Sequence, residues 1–121
     1  MVIGYPATAP TSSTVTLASI TGTSSTIIDT SIAQVISIFL SSNVNSSSLT
    51  FAGGPAPNGL EATLRIIQNG IGGWTFSLPP NLVIDPGFAI DLTPNWVTVI
   101  PILWNGTNWI LRGMAFSVPA P

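Results

Sequence analysis

The chain has 121 residues, enough for one domain with an ordinary hydrophobic core. Only 5% of the residues are charged, against about 25% in an average soluble domain, and the net charge is −2. Two cations are too few for nucleic-acid binding, which replaces the counterions of many phosphates with basic side chains. The chain has no cysteine and no histidine, which excludes disulfides, thiolate metal sites and the common catalytic triads.

The low charge does not indicate a membrane protein. The longest apolar segment, Trp96 to Trp104, is less than half of the roughly 20 residues that a membrane helix needs, and it contains Pro101. A surface with so few charges is poorly protected against association. We therefore expect a partner to cover much of it.

The N-terminus predicts an extended arm over residues 1–13. Pro6 and Pro10 stand among small polar residues, which favours an extended, solvated segment. Two readings stay open: the arm lies on a neighbouring subunit, or it is a frayed end. The first residues have neither a basic region nor a continuous apolar region, so we expect a protein made and used without Sec-type export.

Four strands are predicted in the first half of the chain. Apolar residues alternate with threonines in the segment that starts at Thr14. Thr26 to Ile28 predicts a second, short strand. The segment Gln34 to Leu40 alternates imperfectly, but its β-branched and aromatic residues favour a strand, and it is too short for a stable helix. The polar loop Ser41 to Ser48 then leads to a fourth strand at Leu49 to Phe51.

The segment Leu60 to Pro80 predicts a hairpin at the centre of the fold. Both arms alternate, and the glycine-rich turn Asn69 to Gly73 between them tolerates the positive φ angles of a chain reversal. Two prolines end the second arm because they lack backbone donors. The inward residues are expected to be Ala62, Leu64 and Ile66 on the first arm, and Trp74, Phe76 and Leu78 on the second.

The second half of the chain contains two further turn signals. Asp85-Pro86-Gly87 suits a type II turn. Asn105-Gly106 lies between apolar segments and predicts a second hairpin, from Trp96 to Val118. Strands at spacings of about 8–12 residues are typical of a sandwich. We therefore predict an all-β fold, an antiparallel β-sandwich resembling a jelly roll, over residues 14–118, with a tail at 119–121 that leaves the sheet.

Few residues are candidates for catalysis or metal binding. Two carboxylate pairs, Asp85 with Asp91 and Asp29 with Glu61, are the only candidates for glycoside cleavage. No acids cluster in one loop as calcium binding requires, and Asp85 is more simply a turn residue. We expect no enzyme activity, no metal site and no cofactor.

Interface candidates are easier to name. Arg65 alternates onto the same face as Glu61, so it either forms an exposed ion pair with Glu61 or makes a bidentate contact across a subunit interface. Tryptophans anchor cores and interfaces because each removes about 150–250 Å² from water. Trp74, Trp104 and Trp109 are therefore interface candidates. Tryptophans and asparagines can also build a sugar-binding face, and for Trp109 both sugar stacking and core packing stay open.

Two segments carry a resemblance to a known group of proteins. TLRIIQNGIGGWT, residues 63–75, followed by LWNGTNW, residues 103–109, resembles paired hairpins of structural proteins of tailed bacteriophages. The resemblance implies an all-β virion module of tail fibres or head-decoration proteins, commonly trimeric and without catalytic residues.

The resemblance leads to two functional expectations. The first is a homotrimeric cement protein that binds the major capsid protein on the phage head, after assembly in the host cytoplasm. The short length, the few charges and the lack of catalytic side chains suit such a protein. The alternative is a tail-fibre or spike tip that binds a glycan of the host cell surface.

Overall fold

The structure is a computed structural model that describes residues 16–121, and this part of the chain folds into nine β-strands. It contains no helix that could cross a bilayer. The predicted N-terminal arm lies outside the described residues. The strands are β1 (Leu17–Gly22), β2 (Ser25–Asp29), β3 (Val35–Leu40), β4 (Ser46–Thr50), β5 (Glu61–Gln68), β6 (Leu82–Val83), β7 (Trp96–Trp104), β8 (Trp109–Leu111) and β9 (Phe116–Pro119).

The strands form a seven-stranded and a two-stranded sheet. The large sheet has the order β1-β3-β5-β7-β8-β6, with β9 also paired to β7, and the small sheet is β2-β4. The pairs β1·β3, β3·β5, β2·β4 and β6·β8 are parallel, whereas β7 is antiparallel to its three neighbours. The all-β prediction is confirmed, but the antiparallel sandwich is wrong, because the large sheet is mixed.

The parallel pairs arise because the chain visits the two sheets in turn. It passes from β1 to β2 in the small sheet, returns to β3 beside β1, and then runs to β4 beside β2. Parallel neighbours need a long crossover connection. In β1·β3, β3·β5 and β2·β4 the crossover contains a strand of the other sheet, whereas β6 and β8 are connected through β7 of the same sheet. Alternation in the sequence shows which side chains point inward, but it is the same in parallel and antiparallel strands, so it could not reveal this order.

The predicted central hairpin does not form. Both edges of β5 are occupied, by β3 on one side and β7 on the other, so no edge remains for the segment after the turn. That segment instead lies beside Val44, whose N–H donates to the carbonyl of Thr75 at 2.9 Å and whose carbonyl accepts from the N–H of Ser77 at 2.9 Å. Phe76 forms the isolated parallel bridge with Val44.

The second predicted hairpin forms around its Asn105-Gly106 turn, between β7 and β8. Trp104 at the end of β7 stands opposite Trp109 at the start of β8. After Leu111 the chain leaves β8, and β9 pairs with the first half of β7, from Trp96 to Val99. β9 includes Pro119, so the paired region reaches into the segment predicted as a free tail.

The turn at Asp85 forms, but it is not of type II. The N–H of Phe88 donates to the carbonyl of Asp85 at 2.9 Å, which closes the turn. A type II turn needs a positive φ at its third residue, and Gly87 does not have one. The carboxylate of Asp85 accepts from the Gly87 N–H at 2.9 Å, which stabilises the turn without the left-handed conformation.

The core lies between the inner faces of the two sheets. β3 contributes three fully buried aliphatic side chains to the core, β5 and β7 contribute two each, and β2 and β4 close the core from the other side. Complete burial of such a side chain stabilises the fold by about 1.5–3 kcal/mol. The main contributors are Ile36, Ile38, Leu64, Ile66, Ile100, Ile102, Ile28, Leu49 and Trp109.

Candidate functional site

A shallow pocket of about 240 Å³ lies where the β7–β8 hairpin meets the end of β4. One wall is the hairpin, and the facing wall is the glycine-proline loop that follows β4. No charged residue lines it. The lining residues are Leu49, Thr50, Phe51, Gly54, Pro55, Ala56, Asn81, Trp104 and Trp109.

Two tryptophans form the hairpin wall. Trp104 and Trp109 are opposite each other in the antiparallel pair, so their side chains share one face. Their ring centroids are 5.4 Å apart at an interplanar angle of 56°, a tilted contact that is favourable for aromatic pairs. Trp109 is 2% exposed and belongs to the core, whereas Trp104 is only half-buried. Trp104 therefore offers ring surface to the pocket.

The turn between the two tryptophans has a local cause in the sequence. The side-chain oxygen of Asn105 accepts from the N–H of Thr107 at 2.9 Å and from the N–H of Asn108 at 2.8 Å. Gly106 has a φ of 97°, which a residue with a side chain rarely adopts. The NGTN sequence thus holds the two rings at a set separation.

Asn81 adds a polar group to the same pocket. Its Nδ2 donates to the backbone carbonyl of Leu49 at 3.0 Å. Its backbone carbonyl accepts from the N–H of Trp109 at 2.9 Å. Its Oδ1 is buried and has no hydrogen-bond partner among the described residues. A buried acceptor without a partner costs about 1–3 kcal/mol. The oxygen has almost no accessible surface, so a ligand can donate to it only when the lining side chains shift.

The chemistry of this pocket suits binding and not bond cleavage. An aromatic surface beside a free acceptor recognises a ligand with an apolar face and a hydroxyl or amide donor. The lining has no acid, and residues 16–121 contain no group of three acids, histidines or cysteines placed to hold a metal ion.

Comparison with known families identifies the group to which this chain is related. Residues 9–109 match the family described as "Putative phage tail fibre C-terminal domain". The chain belongs to this family. It is thus a component of the tail fibre of a phage virion. The match does not support the predicted role as a capsid cement protein. No curated protein and no solved structure matches the chain.

Arg65 of this tail-fibre domain does not pair with Glu61. Its Nη1 donates to the hydroxyl of Ser37 on β3 at 2.8 Å. Glu61 instead lies 3.6 Å from Arg112, and both of these side chains are well exposed. The prediction of a Glu61–Arg65 ion pair is therefore wrong. Glu61 is opposite Leu103, in the half of β7 whose other edge pairs with β8, and Arg112 follows directly after β8.

Trp74 lies far in sequence from the pocket lined by Trp104 and Trp109, and its indole N–H has a hydrogen-bond partner of its own. Its Nε1 donates to Oδ1 of Asn69 at 2.9 Å, and the same oxygen accepts from the N–H of Ile71 at 2.9 Å. Its ring packs against the core and is half-buried. Trp74 thus holds the glycine-rich turn in place, and it does not line the pocket of the other two tryptophans.

Three of the four candidate catalytic acids, Asp29, Asp85 and Asp91, accept local hydrogen bonds, and the fourth, Glu61, pairs with Arg112. Hydrogen bonds from the hydroxyl and N–H of Ser31 lower the pKa of Asp29. Hydrogen bonds from Thr93 and then from Ser117 lower the pKa of Asp91. A lowered pKa suits a permanently ionised turn cap and is the reverse of what a general acid needs.

Sequence reasoning missed Asn81 and Gln68. Gln68 is 1% exposed, and its side chain donates to the carbonyls of Trp74 and Asp91 and accepts from the Trp74 N–H. The alternation of β5 gave a signal, because Gln68 follows Ala62, Leu64 and Ile66 on the inward face. No local pattern marks Asn81.

Proposed function

We propose that this domain is a host-recognition module of the tail fibre and that it binds a cell-surface glycan in the pocket between Trp104 and Asn81. The observation that carries the proposal is the combination, in one uncharged pocket, of half-buried ring surface and a buried acceptor without a partner. Sugars present the matching pair of features: an apolar face of C–H groups and hydroxyl donors at its edge.

Each part of the pocket has a distinct task in this proposal. Trp104 packs against the C–H face of a sugar ring and removes apolar surface of both partners from water. When the lining shifts to expose it, Oδ1 of Asn81 accepts from a hydroxyl of the same sugar. The hydrogen bond from Nδ2 to the carbonyl of Leu49 fixes the direction of the amide. Trp109 supports Trp104 from the core.

An array of bacterial capsular and O-antigen polysaccharides tests the proposal. We expect binding of at least one saccharide by the purified full chain, with a Trp104→Ala variant at least tenfold weaker, a loss of about 1.4 kcal/mol. Trp96→Ala is the matched control, because Trp96 lies at the opposite end of β7 and is also half-buried. Equal losses in the two variants, or no binding of any saccharide, would contradict the proposal.

The position of the domain on the fibre has a separate test. Electron microscopy of intact particles labelled with an antibody against this chain should place the label at the end of the tail fibre that is remote from the particle. Label at the base of the fibre would contradict a host-recognition module.

A further inference from the structure

Two adjacent clefts border the segment 88–92, which lies between β6 and β7. The segment alternates: Phe88, Ile90 and Leu92 line one cleft, and Asp91 lines the other. Phe88 lines both clefts, so a single ligand can reach from one into the other. Neither cleft shares a lining residue with the proposed glycan pocket. The two clefts therefore form a separate surface, and its role is independent of the glycan proposal.

The first cleft is mostly apolar and has a volume of about 200 Å³. Its facing wall comes from the segment that follows the glycine-rich turn and includes Phe76 and Leu78. Leu92 also lines this cleft and is 47% exposed. A pocket for a drug-sized ligand has about 300–1,000 Å³. This cleft is smaller, so it suits a small apolar group, such as a chain of a few carbons.

The second cleft, of about 250 Å³, is lined by Asp91 together with Thr98 of β7 and Ser117 of β9. Oγ1 of Thr98 accepts from the Asp91 N–H at 2.9 Å, which fixes the backbone of Asp91. Hydrogen bonds from the hydroxyl and N–H of Thr93, and then from the side chain of Ser117, lower the pKa of Asp91 and keep the carboxylate ionised at neutral pH. These donors leave about one of the roughly four acceptor sites of a carboxylate free.

Among residues 16–121 the negative charge of Asp91 has no ion-pair partner. The whole sequence has two arginines and no lysine or histidine. Arg112 pairs with Glu61, and Arg65 donates to the hydroxyl of Ser37. The half-buried carboxylate of Asp91 thus brings an unbalanced charge and a free acceptor site to its cleft, and a cationic ligand complements both.

We propose that the two clefts together bind a primary ammonium group carried on a short apolar skeleton. The ammonium donates to the carboxylate of Asp91, and the adjoining carbons cross Phe88 into the apolar cleft. A guanidinium suits the site less well, because its paired donors need two acceptor positions. A calcium ion takes roughly six to eight oxygen ligands, whereas this cleft offers one carboxylate. Amino sugars of a surface glycan and ethanolamine headgroups are two sources of such an ammonium group.

Titration of the ¹⁵N-labelled full chain with butylammonium, followed by the NMR chemical shifts of the backbone amides, tests the proposal. We expect the amides of Ile90, Asp91 and Ser117 to shift. Butylammonium should bind at least about fivefold more tightly than 1-butanol, since a charge-assisted hydrogen bond is about twice as strong as a neutral one. Methylammonium should bind at least about tenfold more weakly than butylammonium, because it lacks the methylenes that fill the apolar cleft.

Variants separate the roles of the two clefts. Asp91→Asn should bind butylammonium no more tightly than the parent binds butanol, whereas the matched control Asp85→Asn, which removes an acid that lines neither cleft, should bind as the parent does. Leu78→Ala should weaken the binding of butylammonium at least about fivefold and leave that of methylammonium unchanged. Asp91 also stabilises a turn, so thermal unfolding of each variant is measured first. If Asp91→Asn is unfolded, the comparison of butylammonium with butanol on the parent chain decides.

Glucosamine and ethanolamine, compared with glucose and ethanol as their counterparts without the amine, distinguish the two sources of the ammonium group. Tighter binding of glucosamine assigns the site to a surface glycan, and tighter binding of ethanolamine assigns it to a headgroup. Equal affinities for butylammonium and butanol, shifts confined to residues outside the two clefts, or equal losses in Asp91→Asn and Asp85→Asn would overturn the proposal.

Discussion

Replacement of Gln68 by leucine tests whether one buried amide connects the central strand to the loops that follow it. The Nε2 of Gln68 donates to the carbonyl of Trp74 at 2.8 Å and to the carbonyl of Asp91 at 3.2 Å, and its Oε1 accepts from the Trp74 N–H at 3.1 Å. Leucine has a similar volume and fits the apolar surroundings, but it makes none of these hydrogen bonds. The change thus leaves three backbone groups without their partner.

The expected loss follows from these three groups. An unpaired backbone group that stays buried costs about 1–3 kcal/mol. The longest of the three hydrogen bonds is the weakest, and the greater burial of an apolar side chain offsets part of the loss. We therefore expect Gln68→Leu to lower the free energy of unfolding by about 3–5 kcal/mol, a large fraction of the 5–15 kcal/mol typical of a domain.

Urea denaturation followed by tryptophan fluorescence measures this loss, with Gln34→Leu as the matched control. Gln34 is exposed, and its side chain accepts one hydrogen bond, from the N–H of Thr16. The control should lose less than about 1 kcal/mol, because solvent can replace that partner. If both variants lose the same amount, the network around Gln68 does not stabilise the fold as argued.

Two further predictions concern the glycine-rich turn and the acid limb of the stability curve. Gly72 and Gly73 both have a positive φ, but a Cβ at Gly72 would lie 2.7 Å from the backbone nitrogen of Pro94, whereas one at Gly73 would meet no atom. Gly72→Ala should therefore lower Tm clearly more than Gly73→Ala, and equal shifts would contradict the clash. The lowered pKa values of Asp29 and Asp91 mean that the unfolded chain binds more protons. Their stabilisation should be complete above about pH 4 and lost as the pH falls through the lowered folded-state pKa values. Denaturation from pH 7 to pH 2 checks this, and Asp29→Asn should flatten the acid limb; an unchanged limb would refute the role of Asp29.

The strand segments could be predicted because their signal is local. Alternation, β-branched residues and turn residues indicated β3 almost to the residue, as well as the turn that joins Trp104 to Trp109. The same local signal indicated the inward residues of β5. It was misleading after the Asn69–Gly73 turn, where an alternating segment next to a turn predicted a hairpin that the occupied edges of β5 do not allow.

The candidate site was predictable only in part, since it combines distant segments. Trp104 and Trp109 are close in sequence, so their contact follows from the hairpin between them. Asn81 and the loop after β4 join them only through the tertiary fold. Arg65 shows the same limit: its partner across the sheet, Ser37, is 28 residues away in the sequence.

The sequence alone determined that this protein is all-β, poor in charge and without the side chains of common catalysis, since these properties depend on composition and on short-range periodicity. Only the tertiary structure decided which strands pair, in which direction, and which polar groups meet in the pocket and between neighbouring strands. The physical reason is that a strand has two equivalent hydrogen-bonding edges, and its side chains do not record which neighbour occupies each edge. The competition of all the strands for those edges, together with burial of the common core, selects the arrangement.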